Sequence, residues 1–129
     1  MRLRKKVAAI VLAGAIIAGH SVAALAALAG FTVSTPSLVT LNGKYVASGG
    51  VSYKPTSSGS LYLQDEVYVY GKVGSLDGQL LDYKAGYGWN AASAMTNGTS
   101  TKPTRILNIG SYKSGSSFIE VERKQLDIN

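Results

Sequence analysis

From Val7 to Phe31 the chain reads VAAIVLAGAIIAGHSVAALAALAGF, and no formally charged residue occurs between Lys6 and Lys44. Arg2, Arg4, Lys5 and Lys6 stand directly in front of this apolar run. Behind Thr32 the composition changes to Ser, Thr, Gly, Tyr and Val with scattered charge. This division predicts a basic leader plus hydrophobic helix, residues 1–31, followed by one exported domain, residues 32–129. The 129 residues leave about 100 for that domain, enough for a single core.

The charge balance follows the same division. Lys and Arg total 13 against 7 Asp and Glu, a net +6. Removing the four leader cations leaves nine against seven. The remaining Lys residues, such as Lys44, Lys54, Lys72, Lys84, Lys102 and Lys113, are spread one per segment. A nucleic-acid partner needs a clustered basic face, so none is expected. The chain has no cysteine, which removes disulfides and thiolate metal sites.

Three readings of the apolar run stay open. As a secretory signal it has a basic n-region, an h-region from Val7 to Gly19 and small-x-small sites ending at Ala23, Ala26 and Ala29. His20 then falls in the polar region ahead of the cut. As a retained transmembrane helix its 25 residues span ~30 Å of hydrocarbon, with the N-terminus cytoplasmic. As an assembly helix it is inserted first and then stored in the core of a filament or virion coat. Gly14 and Ala18, Ala15 and Gly19, and Ala26 and Gly30 have the small-xxx-small spacing that lets helix backbones approach.

The order of basic leader, long Ala/Ile/Val/Gly helix and Ser/Thr/Gly-rich β domain resembles that of archaeal type IV pilins. The resemblance implies a filament subunit whose partners are copies of itself. The stretch SLYLQDEVYVYGKV is similar to the strand-turn-strand opening of immunoglobulin-like modules of prokaryotic surface proteins.

Within the second part, Thr32 to Pro36 reads as a linker. Leu38–Leu41, Asn42-Gly43 and Lys44–Ala47 predict a type I′ hairpin. Gly49-Gly50 ends it, and Val51–Lys54 forms a short extended piece. Val67–Val73 alternates with Val67, Val69 and Val73 on one face and Tyr68, Tyr70 and Lys72 on the other. Asp77-Gly78 predicts the next turn, Gly86–Asn90 a loop, and Ala91–Thr96 either helix or strand. Asn97–Pro103 is a loop whose Asn97-Gly98-Thr99 is a candidate glycosylation sequon. Two closing strands, Thr104–Ile109 and Ser117–Arg123, meet at a Gly/Ser turn near Gly115. In the last one Ile119 and Val121 face one way, and Phe118, Glu120 and Glu122 the other. The expected fold is mainly β, an antiparallel immunoglobulin-like sandwich of seven to eight short strands.

Chemistry has little to work with. Outside the leader there is no His or Cys, so nucleophile–His sets and N/S metal sites cannot form. Asp65 and Glu66 point to opposite faces of an extended chain, and Glu120 and Glu122 form the polar face of a strand. Neither enzymatic activity nor a cofactor is expected. All eight Tyr and Trp89 lie after Phe31. Tyr68, Tyr70, Tyr87 and Trp89 are candidates for surface contact with a glycan or protein, against a role in cross-strand pairing. The expectation is a structural subunit of a surface assembly, the alternative a secreted binding module.

Overall fold

The computed structural model describes residues 28–55 and 59–129. The expectations for residues 7–27, including Gly14, Ala15, Ala18, Gly19 and Ala26, lie outside the described residues. Eight strands make up the rest: β1 (Phe31–Val33), β2 (Ser37–Leu41), β3 (Lys44–Tyr53), β4 (Tyr62–Val73), β5 (Leu76–Trp89), β6 (Ala91–Met95), β7 (Pro103–Ser114) and β8 (Ser117–Asp127). All pairings are antiparallel. One sheet joins β1, β2 and β6 to β3; the other has the order β5-β4-β7-β8. Among the described residues there is no helix.

The fold is mainly β, as expected, but five of the strands run to ten residues or more. The Asn-Gly hairpin forms as predicted. Leu41 pairs with Lys44, and Asn42 and Gly43 adopt φ of 53° and 76°. These are the two positive values that a type I′ turn demands.

Several expected breaks are strand instead. The linker at Thr32 to Pro36 begins as β1, with Phe31 opposite Tyr53. Gly49-Gly50 does not end β3, whose ladder to β6 continues through both residues. A Cβ at Gly49 would lie 2.5 Å from the Asn108 side chain, so glycine is there for close packing between sheets. Gly86–Trp89 belongs to β5, and Ala91–Met95 is a strand. Asn90, with φ of 61°, is the corner where the chain leaves one sheet for the other.

The turn expected at Asp77-Gly78 falls at Gly74-Ser75, and both expected turn residues lie in β5. Register shifts at Val69/Tyr70 and Gly71/Val73 place extra residues on β5, while the alternation of β4 continues through Gly71. Val67 and Val69 are buried, whereas Val73 is 52% exposed. A further shift at Gly110/Ser111 leaves Val121 as an extra residue between Glu120 and Glu122. A bulge reverses the alternation of side chains beyond it. Glu120 therefore pairs with Arg123, whereas Glu122 pairs with Lys124.

Gly30 is not a helix-packing residue. Its φ is 82°, outside the right-handed helical region, and its carbonyl accepts a hydrogen bond from Lys54 N at 2.9 Å. It is the turn leading into β1, so the apolar helix expected to reach Phe31 cannot include residue 30.

Side chains from both sheets share the core. One cluster contains Ala47, Val67, Val69, Ala94 and Ile106; a second contains Val33, Val51, Leu63 and Ala92. The inward residues of β4, from Leu63 to Val69, cross both. The outward residues of the same strand build the surface described next.

Candidate aromatic surface

Strand β4 presents Tyr62, Gln64, Glu66, Tyr68 and Tyr70 on the face away from the core, because the residues between them are buried. Its ladder to β5 sets Trp89 beside Tyr62, Tyr87 beside Gln64 and Tyr83 beside Tyr68. On the other side Ser111, Ile109, Leu107 and Arg105 continue these rows into β7. The period of two along β4 thus becomes a two-dimensional aromatic face.

Two groups of rings occupy it. At one end Tyr62 lies edge-on to Trp89 with centroids 5.2 Å apart, and stacks with Tyr87 at 6.3 Å. Phe118, from β8, approaches Tyr87 at 5.7 Å and Tyr62 at 6.3 Å. Gln64 Nε2 donates to the Tyr87 hydroxyl at 3.3 Å. Trp89 is 67% exposed and Tyr87 52%. At the other end Tyr68 packs on Tyr83 at 4.8 Å and on Tyr70 at 6.2 Å.

Glu66 ties the second group together. One carboxylate oxygen accepts the Tyr83 hydroxyl at 2.7 Å and the Tyr68 hydroxyl at 2.9 Å. Burial raises the Glu66 pKa, and the two phenols offset only part of that. Burial likewise raises Tyr68 and Tyr83, reinforced by the adjacent Glu66 charge, and pushes Tyr70 up to about 12. None of these phenols ionises near neutral pH. Beside them Arg123 holds Glu120 through two bonds of 2.6 Å. The arrangement offers stacking faces and neutral hydroxyls, with no activated nucleophile.

The structure brings all four sequence-derived contact residues, Tyr68, Tyr70, Tyr87 and Trp89, onto this one face. Trp89 arrives there as the last residue of β5, not from a loop. Asn97 is exposed in the loop after β6, and Thr99 is bonded in both directions to Tyr45. The sequon is at the surface. Gln64, Glu66 and Phe118 complete the face without a sequence signal beyond their alternation with buried positions.

Asp65 occupies the opposite side of β4, as the alternation of an extended chain predicts, but its burial was not legible in the sequence. It is fully buried, and neither carboxyl oxygen has a hydrogen-bond partner among the described residues. Burial first, and the neighbouring Glu66 second, raise its pKa from 3.8 to about 7. Asp65 is opposite Gly110, so Asn108, two residues away on β7, is its diagonal neighbour on the same face. Asn108 Nδ2 donates to Ser34 O at 2.9 Å and Gly50 O at 3.2 Å, while its Oδ1 has no donor. In its protonated form Asp65 would have a hydrogen to donate. Both side chains are fully buried and closed to solvent.

Among the described residues no cluster of acidic or histidine side chains could hold a metal ion. A shallow groove lined by Ser34, Ser37, Ser48 and Ser93 is the other concave feature of note. Three of its hydroxyls are engaged internally: Ser37 with Ser48 at 2.9 Å, and Ser34 with Gly50 N at 3.0 Å. Compared with protein-family models, curated proteins and solved structures, the chain matches none.

Proposed function

We propose that the chain is an exported structural subunit of a surface assembly, a pilus-like filament or a virion coat. The N-terminal apolar segment inserts in the membrane and then packs against other copies. The β domain, an immunoglobulin-like sandwich in this reading, forms the outer layer. The observation that carries the proposal is the junction between the two parts. β1 begins at Phe31, the last residue of the apolar run, and Gly30 O is already bonded to Lys54 N. A helix running directly into this turn would hold the domain in a set orientation. That is what a repeating assembly requires and what a disposable signal does not.

A second reading, a secreted module that binds glycan or protein, draws support from the exposed Trp89 and Tyr87 rings beside Gln64. Sugar rings stack on such faces while hydroxyls and amides bond their edges. The intact mass of the protein from its native source separates the two. A species retaining residues 10–31 is expected. A species beginning just after Ala23, Ala26 or Ala29 would overturn the assembly reading and favour the secreted module.

A further inference from the structure

The sheet that bears the aromatic face has two edges, and they are treated differently. At β8 the edge carries Glu120, Glu122, Arg123, Lys124 and Asp127, together with the bulge at Val121. Charge and bulges are the usual protection against unwanted strand pairing. At β5 the register to β4 is regular from Asp82 to Trp89, and Lys84 is the one formal charge after Asp82. This edge is unguarded.

Which of its backbone groups are free follows from the ladder. Asn90 N donates to Leu61 O at 2.8 Å, and Leu61 N donates to the Asn90 side chain at 3.0 Å. Residues 61 and 90 are therefore a hydrogen-bonded pair. In an antiparallel ladder such pairs alternate, so 63/88, 65/86 and 67/84 are bonded as well. Tyr83, Ala85, Tyr87 and Trp89 point their N–H and C=O groups away from β4. The Tyr83 amide is capped by Asp82 Oδ1 at 3.0 Å. Among the described residues no backbone group meets the amides of Ala85, Tyr87 or Trp89.

We propose that this free edge, Ala85 to Trp89, pairs antiparallel with the same strand of a second copy, about a twofold axis through Tyr87. The proposal rests on the assembly reading for the identity of the partner, and three features of the edge fit that partner. Under the twofold, Trp89 lies opposite Ala85 of the other copy, a large side chain against a small one. Gly86 lies opposite Gly88, and Tyr87 opposite itself. Lys84 meets Asn90, so no like charges are opposed. The same patch thus serves both copies, as a closed isologous interface requires. The pairing joins two four-stranded sheets into one of eight strands, and the Tyr62–Tyr87–Trp89 groups of both copies meet at the axis. Five residue pairs extend about 17 Å along the edge. The exposed area of the two rings, roughly 250 Å² per copy, adds apolar burial to the new backbone bonds.

The test uses the full chain in detergent micelles, with light scattering over a concentration series and amide exchange read at residues 85–89. Association that slows exchange at Ala85, Tyr87 and Trp89 is expected. Tyr87→Lys places two like charges on the axis and removes the ring pair, and should weaken association roughly tenfold with an unchanged far-ultraviolet spectrum. Association with these amides still exchanging freely, or undiminished in Tyr87→Lys, overturns the edge proposal and leaves the assembly reading standing. A monomer at all concentrations overturns it, whether the amides are open or protected by another segment of the same chain. The assembly reading fails separately, through the intact mass. If Tyr87→Lys does not fold, the exchange data on the unaltered chain decide.

Discussion

Replacing Asp65 by Asn should make the β domain more stable above neutral pH and remove much of its pH dependence. The carboxyl is fully buried, and its pKa rises from 3.8 to about 7 because burial penalises the charged form. The folded value lies above the unfolded one, so between about pH 4 and 7 the folded state holds the extra proton. Stability contributed by the protonated form is complete below about pH 4, declines as pH rises through that window and is lost above about 7. A difference of about 3 between the two values corresponds to about 4 kcal/mol over the full range. Of this, about 2 kcal/mol falls between pH 5.5 and 8.5, where ordinary carboxylates remain ionised. For a domain of this size that is a Tm decrease of about 10 °C. Asn at position 65 keeps the shape, carries no charge, and its amide can donate to the orphaned Asn108 Oδ1. Thermal melts of both proteins at the two pH values are the assay. Glu66, also raised by burial, acts in the same direction and should leave a smaller slope in Asp65→Asn. Equal Tm changes in the two proteins would refute the argument.

Two further predictions concern the backbone. A Cβ at Gly110 would come within 2.6 Å of Val33 Cγ2 and 2.8 Å of Val51 Cγ2, both buried. Gly110→Ala should therefore cost about 1–3 kcal/mol by overpacking, read as a lower denaturant midpoint; an unchanged midpoint would show that the sheets can separate there. Asn90→Ala forces a residue that disfavours positive φ into the corner and removes the acceptor of Leu61 N. A loss of about 1–3 kcal/mol is expected, and Asn90→Gly should recover the backbone part of it.

What could be read without coordinates were the features whose causes are local. Asn42-Gly43 must turn because two adjacent residues tolerate positive φ, and the strands on either side follow. Val67–Tyr70 must be strand because its alternation fits no helix. The Gly/Ser turn near Gly115 and the loop at Asn97 are of the same kind. The absence of His and Cys after residue 31 is a property of composition alone.

Glycine is ambiguous in sequence, because one residue type serves two purposes. Gly43 permits a turn, but Gly49 and Gly86 permit another strand to come close. A Cβ at Gly86 would collide with the Ser93 carbonyl of β6, which lies across it. Nothing near Gly86 in sequence announces that neighbour. The bulges are equally silent, since one extra residue changes which face follows without changing composition. The one at Val121 separated Glu120 from Glu122.

The apolar run, the β class, the hairpin at residues 42–43 and the stock of aromatic residues were determined by the sequence itself, through periodicity, turn chemistry and hydrophobicity. Only the tertiary structure decided that Asp65 would lie in the core beside Asn108, that Gly30 would turn into β1, and that Trp89 would finish a strand on the Tyr-rich face. Each of these depends on which strand lies next to which. Pairing and register come from the packing of residues distant in sequence, and no local window contains that information.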